Sequence, residues 1–136
     1  MTELLANVKP GLFGTAELVV GEEHTAPRVG SGRVAALATP VMINLIEAAS
    51  LKAVEHLLPA GYQSLGTRLD VKHYAAAPVG MKIKATAEVV RVEGREIYFV
   101  VRAEDEKEPI GDGTHERVAV NVERFAKRVQ RKIRGE

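Results

Sequence analysis

The sequence predicts an α+β fold in which one long helix lies against an antiparallel sheet of about five strands. Three observations predict it. Only one internal stretch combines a helix start signal, apolar residues at helical spacing and a helix stop signal. After it, four successive segments alternate with period two and are separated by turn residues. Before it stands one further alternating segment rich in β-branched residues.

Residues 12–20 form that first strand. Residues 21–32 contain Pro27, Gly30 and Gly32 and read as a loop with the character of a flap. Thr39-Pro40 then starts the helix, with Thr39 at the N-cap and Pro40 in the first turn, where a missing N–H costs nothing. The helix should run to about residue 58, before Pro59 and Gly61. Met42, Ile46, Ala49 and Ala53 form one apolar stripe, and Val41, Leu45 and Ala48 widen it. Asn44, Lys52 and Glu55 occupy the other side.

The predicted strands that follow are 64–76, 81–92, 96–104 and 110–122. Pro78-Val79-Gly80, Glu93-Gly94-Arg95 and residues 106–109 supply the turns. Lys82, Lys84, Thr86 and Glu88 alternate with Ile83, Ala85, Ala87 and Val89, as a sheet with one wet face requires. The tail, 123–133, is helical and basic. One helix cannot cover five strands, so a homodimer is expected.

At 136 residues, 46% apolar and 27% charged, the chain fits one globular domain over 1–136. A net charge of +1 supplies no field for nucleic acid or membrane. The absence of cysteine excludes disulfides, thiolate nucleophiles and zinc–thiolate sites. The opening MTELLANVKPG has no basic stretch followed by an apolar one, so no secretion signal is expected. No apolar run approaches the roughly 20 residues of a membrane helix. A cytoplasmic location is therefore expected.

Five places can carry chemistry. Glu47 sits among Leu45, Ile46, Ala48 and Ala49, where apolar surroundings would raise a carboxyl pKa toward the range of a general base. It also lies only about 60° around the helix from Asn44, and so fits the edge of the polar side. Thr39 can cap the helix and, beside the free N–H groups of the helix tip, can serve an oxyanion or a bound water. His73 shares a strand face with Leu69 and Val71 and is either a hydrogen-bonded structural residue or a proton carrier. Gly66, where a strand begins, permits close approach of a ligand and an N–H to polarise a carbonyl, or is a bulge glycine.

The fifth place, residues 111–117 (GDGTHER), is a polar pocket or a bulge with a solvated edge. It is not a phosphate loop, since the spacing differs and no helix follows. His24, His56 and His115 lack metal-ligand spacing, so no metal is expected. The tail cations Arg124, Lys127, Arg128, Arg131, Lys132 and Arg134 form a solvated face or a phosphate contact. With Phe125 as the segment's sole aromatic, nucleic acid is the weaker fit.

The order of these segments resembles the fluoroacetyl-CoA thioesterase and its relatives in the hot-dog thioesterase superfamily. The resemblance runs through ATPVMINLIEAAS, SLGTRLDVKHYAAAPVG, VEGREIYFVVRAEDEKEPIGDGTHER and ERFAKRV, densest over 38–128. It implies a hot-dog fold and hydrolysis of an acyl-CoA thioester without a cofactor beyond the coenzyme A of the substrate. It also implies a catalytic Thr39, Glu47 and His73 meeting across a homodimer interface, with dimers able to pair into tetramers. By the same motifs Gly66 lies near the thioester carbonyl, and Arg117 is a substrate or interface contact. Two departures stand out: APRVGSGRVAALA has no aromatic where the family's fluoroacetyl enzyme has an aromatic-bearing lid, and Pro40 replaces its glycine after the Thr. The resemblance thus implies thioester hydrolysis and leaves the acyl group open. A non-catalytic hot-dog module binding acyl-CoA or a small ligand, or a hot-dog hydratase, are the alternatives.

Overall fold

The computed structural model describes residues 3–136; Met1 and Thr2 of the opening segment lie outside them. Five strands, β1 (Phe13–Val19), β2 (Tyr62–His73), β3 (Lys82–Glu93), β4 (Glu96–Glu104) and β5 (Pro109–Asn121), form one antiparallel sheet in the order β1-β3-β4-β5-β2. Three helices complete the fold: α1 (Ala26–Val29), α2 (Thr39–Val54) and α3 (Val122–Ile133). The predicted strands all form, with ends moved by at most three residues. β2 stops at His73 rather than at 76, where the Tyr74 and Ala75 N–H groups both turn to the Ile110 carbonyl. Gly94, at φ 59°, opens the two-residue hairpin loop between β3 and β4, a position that requires positive φ.

The sheet curls around α2. Met42, Leu45, Ile46, Ala49, Ala53 and Val54 turn inward from the helix and meet Ile83, Val89, Ile97, Phe99 and Ile110 of the sheet. β1 crosses the helix so closely that a Cβ on Gly14 would fall on the Ala49 carbonyl and lie 2.9 Å from the Lys52 carbonyl carbon. That contact sets the depth of α2 in the curl. Ser50, buried with this face, gives its hydroxyl proton to the Ile46 carbonyl at 2.9 Å.

Several expectations need correction. Ala38, not Thr39, is the N-cap and makes no side-chain cap; Thr39 is the first helical residue, and its hydroxyl is engaged elsewhere. The helix ends at Val54 and tightens into a 3-10 turn over Glu55–Leu57. Glu55 is not simply a solvated residue: it accepts from the Ser64 N–H at 3.1 Å and the Ser64 hydroxyl at 2.7 Å. Thr86 is buried on the nominally wet face because its strand lies between β1 and β4, which place Thr15 and Arg102 on either side of it. The flap-like stretch 21–32 holds a 3-10 turn, Glu22–His24, and the short α1.

Helix α3 is capped by Asn121, whose side chain accepts from the Arg124 N–H at 3.0 Å, and all its residues are exposed. No helix among the described residues is long and apolar enough to cross a membrane.

Candidate active site

The functional side chains gather at two places along α2. At its start, Thr39 Oγ1 lies 2.7 Å from His73 Nδ1, because β2 ends beside the first turn of the helix. This bond is what draws Thr39 away from capping. The other ring nitrogen, Nε2, is buried with no partner among the described residues. Burial pushes the His73 pKa below its ordinary 6.5, offset in part by the Ala75 backbone, so the ring is neutral at pH 7. A cleft of about 310 Å³ opens over the pair, walled by small apolar groups that include Ala26, Val34, Ala36 and Leu37.

The helix tip is poor in spare donors. Pro40 has no N–H, and the Val41 and Met42 N–H groups both go to the Ala38 carbonyl.

Eight residues further along the helix, about 12 Å by helical rise, Glu47 meets a charged cluster. Its Oε2 accepts from Arg117 Nη1 at 3.1 Å. Of the two surroundings open to Glu47, apolar neighbours or the edge of the polar side, the second is nearer: the carboxylate faces a guanidinium and is about one-third exposed. Arg117 is buried at 4% exposure, and four of its five N–H groups are engaged. Its Nε donates to Ser64 Oγ at 2.8 Å, its Nη2 to the Ser64 carbonyl at 3.0 Å, and its Nη1 also reaches His115 Nε2 at 3.2 Å. Ser64 passes its own proton to Glu55, so one buried cation is balanced by two carboxylates, one direct and one through a hydroxyl.

Gly66 belongs to this second cluster. A Cβ there would fall on Glu47 Oε2 and lie 3.2 Å from His115 Cε1, so the close approach a glycine permits is used by the chain's own carboxylate. A bulge between Gly66 and Arg68 leaves Thr67 out of register, its hydroxyl donating to the Glu116 carbonyl at 3.1 Å. The structure therefore joins Thr39 with His73, and Glu47 with Gly66 and Arg117. Within one chain it does not join the two groups.

GDGTHER is not a solvated edge: it runs within β5, between β4 and β2, and turns His115 and Arg117 into a buried polar cluster. Gly111 and Gly113 are glycines because a Cβ would meet Met42 and the Lys72 carbonyl at the first, and the Asp70 backbone at the second. His115, at 1% exposure, and Arg117 point inward. Neither inward aim was read from the sequence, yet a signal existed: Ala119 is a core position, and period two carries Arg117 and His115 to the same face.

One long helix wrapped by a five-stranded antiparallel sheet is the hot-dog arrangement, and a solved hot-dog-like protein of Thermanaerovibrio acidaminovorans matches with a TM-score of 0.83 at 26% identity, over 90% of this chain and 91% of that one. Within this fold the chain belongs to the fluoroacetyl-CoA-specific thioesterase family, whose model matches residues 20–123. A fluoroacetyl-CoA thioesterase of Streptantibioticus cattleyicolor is 42% identical over 95 residues, 70% of this chain and 68% of that protein. A solved structure of the fluoroacetyl-CoA thioesterase FlK has a TM-score of 0.86 at 35% identity, over 91% of this chain and 96% of that one.

Proposed function

We propose that this chain hydrolyses an acyl-CoA thioester to the free acid and coenzyme A, in a site completed by a second copy of itself. The single observation that carries the reading is the complementarity of the two clusters. One holds an anchored carboxylate with nothing to act on; the other holds a neutral hydroxyl–imidazole pair that lines a cleft and leaves Nε2 unpartnered.

Strand β2 supports a way for them to meet. It is an edge strand of 12 residues, so its outer N–H and C=O groups form a template for another strand. In an antiparallel pair the residue numbers of partners have a constant sum. A β2–β2 pair centred between Leu69 and Asp70 sets Gly66 of one copy opposite His73 of the other. The Glu47 cluster of each subunit then stands beside the Thr39–His73 pair of its partner.

In that site the acyl group enters the cleft under Ala26, Val34, Ala36 and Leu37. Glu47 drives the attack on the thioester carbonyl carbon, as nucleophile or by taking a proton from water. As the carbonyl oxygen gains charge, a His73 Nε2–H stabilises it, while the Thr39 hydroxyl donates to Nδ1 and so keeps the ring proton on Nε2. The new C–O bond forms and the C–S bond breaks; when Glu47 is the nucleophile the product is a mixed anhydride, which water hydrolyses to the free acid and the regenerated carboxylate, its proton converting the coenzyme A thiolate to the thiol. When water is the attacking group, its proton has gone to Glu47. The chemistry is complete with side chains and water, so no cofactor is required beyond the coenzyme A of the substrate. A coenzyme A ester as substrate fits a cytoplasmic location.

Mixing two dead variants tests both halves of the reading. Glu47→Gln and His73→Ala homodimers should each lose at least about 10²-fold in kcat on the best substrate from a panel of short, medium, branched and aromatic acyl-CoAs. Refolded together, random pairing makes half the dimers hybrids, each with one intact site, so about a quarter of wild-type activity should return. Hybrids that form without recovering activity overturn the shared site. A wild type inactive across the panel overturns the thioesterase.

A further inference from the structure

We propose that His115, which lies outside the Thr39, Glu47 and His73 set, is a positioning residue that aims the Glu47 carboxylate by presenting a ring lone pair to Arg117. The inference deepens the thioesterase reading and rests on it for its kinetic consequence. Its geometry stands on the contacts of the ring.

His115 has two polar neighbours, and each permits one arrangement. Nδ1 lies 2.8 Å from the Arg68 carbonyl oxygen, which can only accept. Nε2 lies 3.2 Å from Arg117 Nη1, which can only donate. The ring must therefore be neutral, with its proton on Nδ1 and its lone pair on Nε2. No other tautomer satisfies both contacts. A ring stack on Phe99, with centroids 5.8 Å apart, holds the plane.

Arg117 Nη1 carries two protons, and their directions are now accounted for: one goes to Glu47 Oε2 at 3.1 Å, the other to His115 Nε2. Nε and Nη2 are held by Ser64. The guanidinium is gripped on three sides, and the fourth contact is the carboxylate. Remove the His115 lone pair and the guanidinium keeps only its Ser64 side as an anchor, so the plane can tilt about those bonds and Glu47, with no other side-chain partner, moves with Nη1.

Protonation has the same effect. A proton on Nε2 would face Nη1–H across 3.2 Å, donor against donor. Every element around the ring opposes or favours that proton in a known direction. Burial disfavours the charged ring first, and Arg117 on β5 adds to this; Glu47 on α2 and Glu116 on β5 act the other way, as does the Arg68 carbonyl on β2. Phe99 on β4 is uncharged. The net direction is a pKa below the ordinary 6.5, so the seat stays intact at neutral pH and is lost only as the medium becomes acidic.

His115→Gln and His115→Leu separate positioning from packing. A Gln oxygen can take the place of Nε2 as acceptor; Leu fills the space without one. The Leu variant should lose about 10- to 100-fold in kcat with KM changed less than about threefold, while Gln recovers to within about threefold of wild type and loses the acid limb that His115 contributes to the kcat profile. Equal losses in both variants, or none in Leu, overturn the proposal. Side-chain nitrogen NMR of the wild type gives the tautomer whatever the activity. A proton on Nδ1 and none on Nε2 at pH 7 is required; a proton on Nε2 overturns the proposal even where the Leu variant fails to fold. If no acyl-CoA is turned over, the thioesterase reading fails separately, and a crystal structure of the Leu variant decides the inference: Glu47 displaced from Arg117 supports it, Glu47 unmoved overturns it.

Discussion

The two clusters on α2 are built on opposite principles. At the helix start, Thr39 and His73 share one hydrogen bond, carry no net charge, and leave Nε2 without a partner beside an open cleft. Two turns on, Arg117 has spent four of the guanidinium's five donors on Glu47, Ser64 and His115. The first cluster has unused hydrogen-bonding capacity at Nε2, buried in a residue that lines the cleft. The second uses its capacity internally and presents only the outer part of one carboxylate. Neutral hydrogen bonding to a ligand suits the first; holding a charge in a fixed direction suits the second. The contrast teaches that disrupting the second cluster should cost the fold far more stability than disrupting the first.

Arg117→Met breaks the comparison at its most expensive point. Met keeps the apolar stem but leaves the Ser64 carbonyl and Glu47 without their donor. Removing one member of a buried pair costs about 3–5 kcal/mol, and the partial exposure of Glu47 puts this case near the lower end, about 3 kcal/mol. That corresponds to a fall in Tm on the order of 10 °C for a chain of this size. Calorimetry against wild type measures it, and a loss below about 1 kcal/mol would show that the cluster does not stabilise the fold. Thr39→Val is the counterpart. Thr39 is exposed and Val is nearly isosteric, so stability should fall by less than about 1 kcal/mol. Yet kcat should fall about 10²-fold, and Thr39→Ser should restore most of it. A Val variant that is both stable and fully active removes the hydroxyl from the chemistry.

The same division governs what the sequence revealed. Strands and helix were legible because period two and period 3.6 reflect burial along one element, and the deep crossing of β1 over α2 at Gly14 changes neither. Motif order placed Thr39, Glu47, His73, Gly66 and Arg117. What stayed hidden was pairing between elements. Thr39 followed a local rule for helix caps, and a residue 34 positions away claimed its hydroxyl. Apolar neighbours in sequence suggested a dry Glu47, whereas α2 turns it toward β5 and its guanidinium. Glu55 and Ser64 were assigned separately to a polar side and a strand, yet they bond each other. Contacts of this kind depend on how the sheet curls, which no single segment encodes.

The smallest expected effect compares the clusters by acid titration of stability. His73 and His115 both have pKa values pushed below 6.5 in the folded chain, in each case chiefly by burial. The unfolded chain takes up their protons near the ordinary value. As pH falls below about 6.5, the unfolded state therefore binds more protons than the native state, and stability declines until the folded pKa is reached. Each histidine can contribute at most about 1.4 kcal/mol per pH unit. His115, almost fully buried and wedged against Arg117, should contribute more than His73, which lies beside a cleft. Urea midpoints at pH 7, 6 and 5 should therefore fall less steeply in His115→Gln than in wild type, and His73→Asn should flatten the slope by a smaller amount. If His73→Asn flattens it more, the cleft end carries the greater proton penalty, and the division between an open cluster and a closed one is drawn in the wrong place.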